Sequence, residues 1–313
     1  MDNLDIKKPV STSSHGEVKE NRSKSRLVLN IILVIGFLIL ISYYLFSSPA
    51  SNKDRTIHVA PSDSLTKISS KLEKEKVVRY SSMLRVFVFI FSGDKHISSG
   101  DYLFKKGKSV LSVAWQLARG IHGVEPIKIT FKEGITKADM AKLLAEKIPS
   151  FRKDLFLSDK RSKEGYLFPD TYFIYPLSTT DEILNDITSN FNKKIASIDK
   201  DIKASGKSLS DIIIMASILE KEAKGKEDAP IISGILWKRI KLGMPLQVDA
   251  APKTYDESNL PRSPISNPGL SSILYAIHPE SSPYLFYLHD DFGQVHYAVD
   301  FSEHRSNIAK YLK

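Results

Sequence analysis

The sequence predicts an α+β fold behind a single N-terminal transmembrane helix, and three observations carry that expectation. First, Leu27–Phe46, LVLNIILVIGFLILISYYLF, holds 20 residues without a charge. That is long enough to cross a hydrocarbon core. Second, from residue 55 onward short strand-like and helix-like runs alternate, which is the pattern of small mixed modules. Third, Ile212–Ala216 is an unbroken apolar run that continues after Ser217 through Ile218 and Leu219. A segment apolar all round is a buried helix, and the carboxyl-terminal half is expected to be a mixed domain built on it.

The amino end sets the topology. Residues 1–26 are polar and carry Lys7, Lys8, Lys19, Arg22, Lys24 and Arg26, so they read as a disordered cytoplasmic tail. Tyr43 and Tyr44 suit the far interface. The apolar region is longer than that of a cleaved signal peptide and exits through Tyr43-Tyr44-Leu45-Phe46-Ser47-Ser48-Pro49-Ala50 rather than ending in a small-x-small site. The expectation is an uncleaved, single-pass anchor in the cell (inner) membrane, a linker over 47–54, and an extracytoplasmic remainder. With 313 residues the chain has room for two folded domains beyond the anchor. It has no cysteine, which excludes disulfides, thiolate metal sites and a thiol nucleophile. The net charge of +9 is spread along the chain rather than clustered with aromatics, so nucleic acid is not the expected partner.

Taken in order, Thr56–Ala60 alternates like a strand and Ser64–Lys74 has helical spacing through Leu65, Ile68 and Leu72. Met83–Phe91 is too short to span a bilayer and is expected to be a core helix. Residues 99–104 read as a turn into a strand, and Val110–Ala118 as a helix ending at Gly120. Ile127–Ile148 repeats the strand, turn, Thr-Lys and helix order of Ile57–Val78. Both copies resemble the LysM module, a small carbohydrate-binding unit, and the module is placed at 55–124. Any short strand followed by an amphipathic helix would look similar.

Glu164–Pro176, EGYLFPDTYFIYP, gathers Tyr166, Phe168 and Tyr172 around Asp170. Aromatics beside carboxylates suit sugar rings, which have apolar faces and polar rims. A packed loop corking the core is the other reading. Residues 181–198 follow as an amphipathic helix.

The central helix, Asp211–Ala223, has Ser208 or Ser210 as its N-cap. Leu219, Ile218 and Met215 lie three, four and seven residues before Glu222, so its carboxylate grows from an apolar stripe. Desolvation there would raise its pKa and let it hold a proton for general-acid work. Alternatively, Glu220 and Glu222 are the solvated end of a core helix. Asp228 with Pro230 starts another helix, with Asp228 as an acidic cap. The stretch 260–270 is too proline-rich for regular structure, 271–277 forms a short helix, 284–289 and 295–299 a hairpin, and 302–312 a closing helix. His278, His289, His296 and His304 show no metal-ligand spacing, so they read as structural or polar cleft residues.

EGYLFPDTY, ASILEKE, GMPLQVD, ISNPG with SSI, SPYLFYL, and VHYAV with SEH fall in one order. That succession resembles the membrane-anchored endolytic transglycosylases of peptidoglycan, the MltG or YceG-like family. The resemblance covers the chain from the anchor to the carboxyl terminus, with the catalytic domain at 125–313. It implies cleavage of the MurNAc–GlcNAc bond of nascent glycan strands with 1,6-anhydroMurNAc ends, Glu222 acting as acid and then base. The family's LQ-x-D pair corresponds to Gln247 and Asp249, and the substrate-binding set expected here is Glu164, Tyr166, Asp170, Gln247, Asp249 and Asn267, with no metal and no cofactor. Glycan strands are the implied partner, with peptidoglycan synthases alongside. The family's Asn-Thr-Tyr element is absent between Ala250 and Asn259, and its LPPG is Leu-Pro-Arg-Ser here. A catalytically weak anchored wall-binding or scaffold protein is the rival reading. A third is a muramidase using water, with Asp170, Glu164 or Asp249 as second carboxylate.

Overall fold

The computed structural model describes residues 15–46, 53–92, 97–222, 227–255 and 258–312, with side chains left aside at 15–26, 41, 44–46 and 253. Helix α1 (His15–Phe46) contains the expected span and begins at His15, inside the stretch expected to be a disordered tail. Residues 1–14 of that tail and 47–52 of the linker lie outside the described residues. Its longest run of described side chains is 27–40, and among the described residues no helix is long and apolar enough to cross a membrane. The rest is α+β, with three two-stranded sheets among the described residues. The chain divides into two compact units, one of residues 1–57, 62–98 and 102–122, the other of 58–61, 99–101 and 123–313.

Strand β1 (Arg55–Val59) is followed by α2 (Leu65–Lys74), α3 (Ser81–Ser92), β2 (Gly100–Phe104), which pairs with β1, and α4 (Val110–Ala118). Ser64 caps α2 by accepting from the Lys67 amide, and Ser109 caps α4 in the same way. The first unit's core holds Leu72, Leu84, Val88, Tyr102, Phe104 and Leu117. Helix α3 departs from the core helix expected at Met83–Phe91. Only its Leu84–Val88 face is buried, while Val86, Phe89 and Ile90 face outward.

The second unit opens with β3 (Ile127–Thr130), α5 (Lys137–Lys147), α6 (Lys153–Ser158), β4 (Thr171–Ile174) and α7 (Thr180–Ser197). β3 and β4 pair antiparallel with Ile129 opposite Tyr172. Thr136 caps α5, so the strand and capped helix of the first unit recur here. Thr179 and Glu182 form a reciprocal capping box on α7. Ile129, Met140, Leu144, Phe156, Leu167, Ile174 and Ile187 close one core.

A second core surrounds α9 (Leu209–Glu222), reached through α8 (Asp199–Ser205). Every residue from Ile212 to Leu219 is buried, as an all-round apolar helix requires. Of the two serines that could start it, Ser208 does so, accepting the Asp211 amide at 3.1 Å. α10 (Ala229–Lys241) and α11 (Leu270–Ile277) pack on α9, and Trp237 donates its indole N–H to the Ala276 carbonyl at 3.0 Å. Asp228 does not cap α10 with its side chain. Its carboxylate instead accepts the Tyr297 hydroxyl at 2.6 Å, an acceptor for an otherwise desolvated phenol. β5 (Phe286–His289) and β6 (Val295–Ala298) form the hairpin, and α12 (Phe301–Tyr311) packs against both strands. The hairpin turn is held by Asp290, which accepts the Phe292 and Gln294 amides, with Gly293 at φ 81°.

Candidate active site

Glu222 is the last described residue of α9, where the buried apolar run gives way to charge. Met215, Ile218 and Leu219 below it are completely buried. The helix therefore anchors in the core and delivers the carboxylate to a cavity of about 660 Å³. Glu222 accepts the Ala250 amide and the Tyr287 hydroxyl, each at 3.3 Å. Arg239 from α10, Gln247, Asp249 and Tyr255 form other polar parts of the wall. Phe286, Leu288, Phe301, Ile308 and Leu312 provide an apolar side, with His289 and His304 beside them.

Burial holds the Tyr287 pKa well above its ordinary value, and the neighbouring Glu222 charge adds to the effect. Tyr287 is thus a fixed proton donor toward Glu222. Burial lowers the pKa of Arg239, partly countered by Tyr287 and Tyr255, but a guanidinium stays charged. Its Nη2 donates to Gln247 Oε1 at 2.5 Å, while its Nε is buried with no hydrogen-bond partner. His304 stacks on Phe286 and is held below its usual pKa by burial and by Arg239, so it is neutral at pH 7.

The loop carrying Gln247 and Asp249 is tied by its own hydrogen bonds. Thr254, buried, accepts the Val248 amide at 3.0 Å and donates to the Ala251 carbonyl at 2.7 Å. Gln247 donates its amide to the Thr254 carbonyl and sits at φ 54°. A non-glycine residue there is strained, and such strain gathers at sites that the surroundings over-determine. The short segment after Asp249 forms a 3-10 turn, Pro252–Tyr255, that returns Tyr255 to the cavity. Tyr255 donates to Asp249 Oδ1 at 2.5 Å, the bond that does most to raise its own pKa.

Of the residues read from the sequence as catalytic or substrate-binding, Glu222, Gln247 and Asp249 come together on this wall. Glu164, Tyr166, Asp170 and Asn267 do not line it. Asn267 is completely buried. Its Oδ1 accepts the Gly165 and Leu167 amides at 2.8 and 3.1 Å, and its Nδ2 donates to the Ile135 carbonyl and to Glu164 at 3.0 and 2.7 Å. With those groups spent and no surface, it clasps three chain segments instead of meeting substrate. Glu164 also accepts the Lys137 amide, and burial raises its pKa. Gly165 between them has φ 84°, and a Cβ there would lie 2.5 Å from Pro264 Cγ.

Tyr166 rests against Phe191, and Asp170 accepts its neighbouring Thr171 amide and Asn190. Leu167 enters one core and Phe168 the other, so EGYLFPDTY is the packed loop of the two readings offered above. Glu220 is likewise occupied, accepting the Gly269 amide at 2.9 Å and the Ser272 hydroxyl at 2.8 Å where α11 begins. That geometry places a negative charge at a helix N-terminus.

Sequence reasoning missed Arg239, Tyr255 and Tyr287 as cavity residues. Tyr287 stood in the SPYLFYL motif, and strand alternation put it with Leu285 and His289 on one face. Arg239 had no signal beyond lying in a helix. His296 binds Asp290 and stacks on Tyr311, and His278 is largely exposed. Among the described residues, no group of three or more His, Asp or Glu is placed to hold a metal ion.

Known proteins share this arrangement of sequence. An endolytic murein transglycosylase of Bacillus subtilis (strain 168) is 26% identical over 305 residues, 82% of this chain and 84% of its own. One of Streptococcus pneumoniae serotype 2 is 23% identical over 84% of this chain, which spans only 59% of that relative's length. A crystal structure of a YceG-like protein from Listeria monocytogenes superposes with a TM-score of 0.52 at 24% identity, over 81% of this chain and 99% of that one. That likeness is one of fold. The YceG-like family matches residues 57–253 and 252–310, well over half of the chain, and the chain belongs to it.

Proposed function

We propose that this chain is an endolytic murein transglycosylase that cuts the MurNAc–GlcNAc bond of nascent glycan strands and leaves 1,6-anhydroMurNAc ends. The family membership and the Bacillus relative matched over most of both chains support the reaction class. The single observation that carries the residue assignment is the placing of Glu222 at the mouth of a buried apolar helix and on the wall of the cavity.

The chemistry needs one carboxyl group used twice. Glu222 in its acid form gives its proton to the glycosidic oxygen as the bond to the MurNAc C1 breaks, and the bonding pair leaves with that oxygen. Positive charge spreads over C1 and the ring oxygen. The muramoyl C6 hydroxyl then attacks C1 and returns its proton to the Glu222 carboxylate, closing the anhydro ring. No water is consumed, because the nucleophile is already held within the sugar. The Tyr287 hydroxyl and the Ala250 amide orient the carboxylate in both states.

A hydrolytic muramidase is the second reading. Asp249 lines the same cavity and, with the Tyr255 hydroxyl donated to it, is the carboxylate available to serve water. The 20 uncharged residues of Leu27–Phe46 and the basic stretch before them support an anchor in the cell membrane with its amino terminus in the cytoplasm. The strand and capped helix present in each unit support LysM-like glycan binding. An enzyme tethered in this way would work on strands as synthases release them.

Digestion of uncrosslinked glycan by the full chain, with products weighed by mass spectrometry, tests the proposal. Anhydro-ended fragments are expected, and Glu222→Gln is expected to reduce their release by about a thousandfold with the fold intact. Reducing ends would establish the muramidase instead. An absence of products would leave a binding or scaffold protein.

A further inference from the structure

Helix α3 has two apolar faces, and only one is used. Leu84 and Val88 are buried, while Ser82, Val86, Phe89 and Ile90, at helical spacing, form the opposite face, with the last three 56–63% exposed. Helix α4 exposes Leu111 and Trp115, and its C-cap Arg119 is exposed four residues further on. Phe91, on the Leu84–Val88 side of α3, meets Trp115 edge-on at 5.6 Å where α3 packs on α4. Single exposed apolar residues are ordinary, but Val86, Phe89 and Ile90 together on one face of α3, with Leu111 and Trp115 exposed on the helix packed against it, mark an interaction surface.

We propose that this α3/α4 face lies in the interfacial layer of an anionic lipid bilayer. Neither helix contains an acidic residue. Arg119 packs over the Trp115 ring at 4.5 Å, and Lys105 and Lys106 are exposed in the turn before α4, where the Lys106 amide donates to Asp54. Aliphatic side chains with a tryptophan at the edge and a lysine–arginine rim are the chemistry of a helix pair resting among headgroups. A sugar surface would need hydrogen-bonding partners, which Val86, Ile90 and Leu111 do not offer.

The tether agrees. This part of the inference rests on the anchor proposed above. From that span, residues 47–54 reach at most about 28 Å when fully extended, so the first unit stays close to the membrane surface.

The chain contains two tryptophans, Trp115 and Trp237, which supply the experiment. With Trp237→Phe, the emission of the full chain in phosphatidylglycerol-rich vesicles reports Trp115 alone. Replacing plain acyl chains by brominated ones is expected to quench about half of that emission, and Phe89→Asp with Ile90→Asp is expected to restore it. Equal emission in both lipids would overturn the inference. So would shielding of Trp115 by added soluble glycan without any response to bromine, an outcome that assigns the face to sugar. Flotation that survives carbonate washing reports the anchor separately. A chain that fails to float yet loses Trp115 emission with brominated vesicles refutes the anchor and retains the lipid face.

Discussion

Glu220 and Glu222 stand two residues apart on one helix, yet they belong to different regions with different tasks. Glu220 belongs to the interior clasp, where carboxylates and Asn267 meet backbone amides and a hydroxyl over short distances. Glu222 belongs to a wall that faces open volume, with longer bonds to Tyr287 and Ala250. The difference teaches that the chemistry of a glutamate here is set by what surrounds its head group. In the clasp, donors hold a charge for structural use. In the cavity, apolar walls, a fixed phenol and a nearby guanidinium leave a carboxyl facing space for a substrate.

The sharpest way to break the comparison is to make the same isosteric change at both positions. Glu222→Gln is expected to lose about a thousandfold in turnover with an unchanged melting temperature. Glu220→Gln is expected to retain turnover and lose about 1 kcal/mol of stability, as weaker acceptance at the start of α11 shows in a denaturant titration. Interchanged results would move the catalytic role to Glu220. Next in size is Asn267→Ala. It strips the acceptor from the Gly165 and Leu167 amides, and stability is expected to fall by about 3 kcal/mol. If it reduced turnover without lowering the unfolding midpoint, the clasp would belong to the site after all.

The smallest effect sharpens the cavity side. Tyr287→Phe keeps the ring and removes the donated hydroxyl. We expect about a tenfold lower kcat with little change in KM or stability. The hydroxyl favours the charged carboxylate, so its loss is expected to displace the pH–rate profile toward higher pH. An unmoved profile would make Tyr287 a packing residue.

The helix around Ile212–Leu219 was legible because no polar side chain interrupts its faces except Ser217. That serine donates locally, to the Ile214 carbonyl, and accepts the distant Ile265 amide. The helices after Ser64, Ser109 and Thr136 were legible from their apolar spacing, and the caps that start them act within four residues of sequence. Asp228 misled for the opposite reason: a good local cap was outbid by Tyr297, a partner 69 residues away. The exposed face of α3 was also hidden, because a run of apolar letters does not say which face finds a neighbour.

By itself the sequence determined the α+β character, the periodic elements and the emergence of Glu222 from an apolar helix. These depend on local geometry and side-chain spacing, which a linear pattern records. Only the tertiary structure decided that Asn267 is interior and that Glu164, Tyr166 and Asp170 lie off the cavity, while Arg239, Tyr255 and Tyr287 reach Glu222's cavity. Hydrogen bonds across 100 or so residues, such as Gly165 to Asn267, depend on which segments folding brings together. Motif spacing does not carry that information.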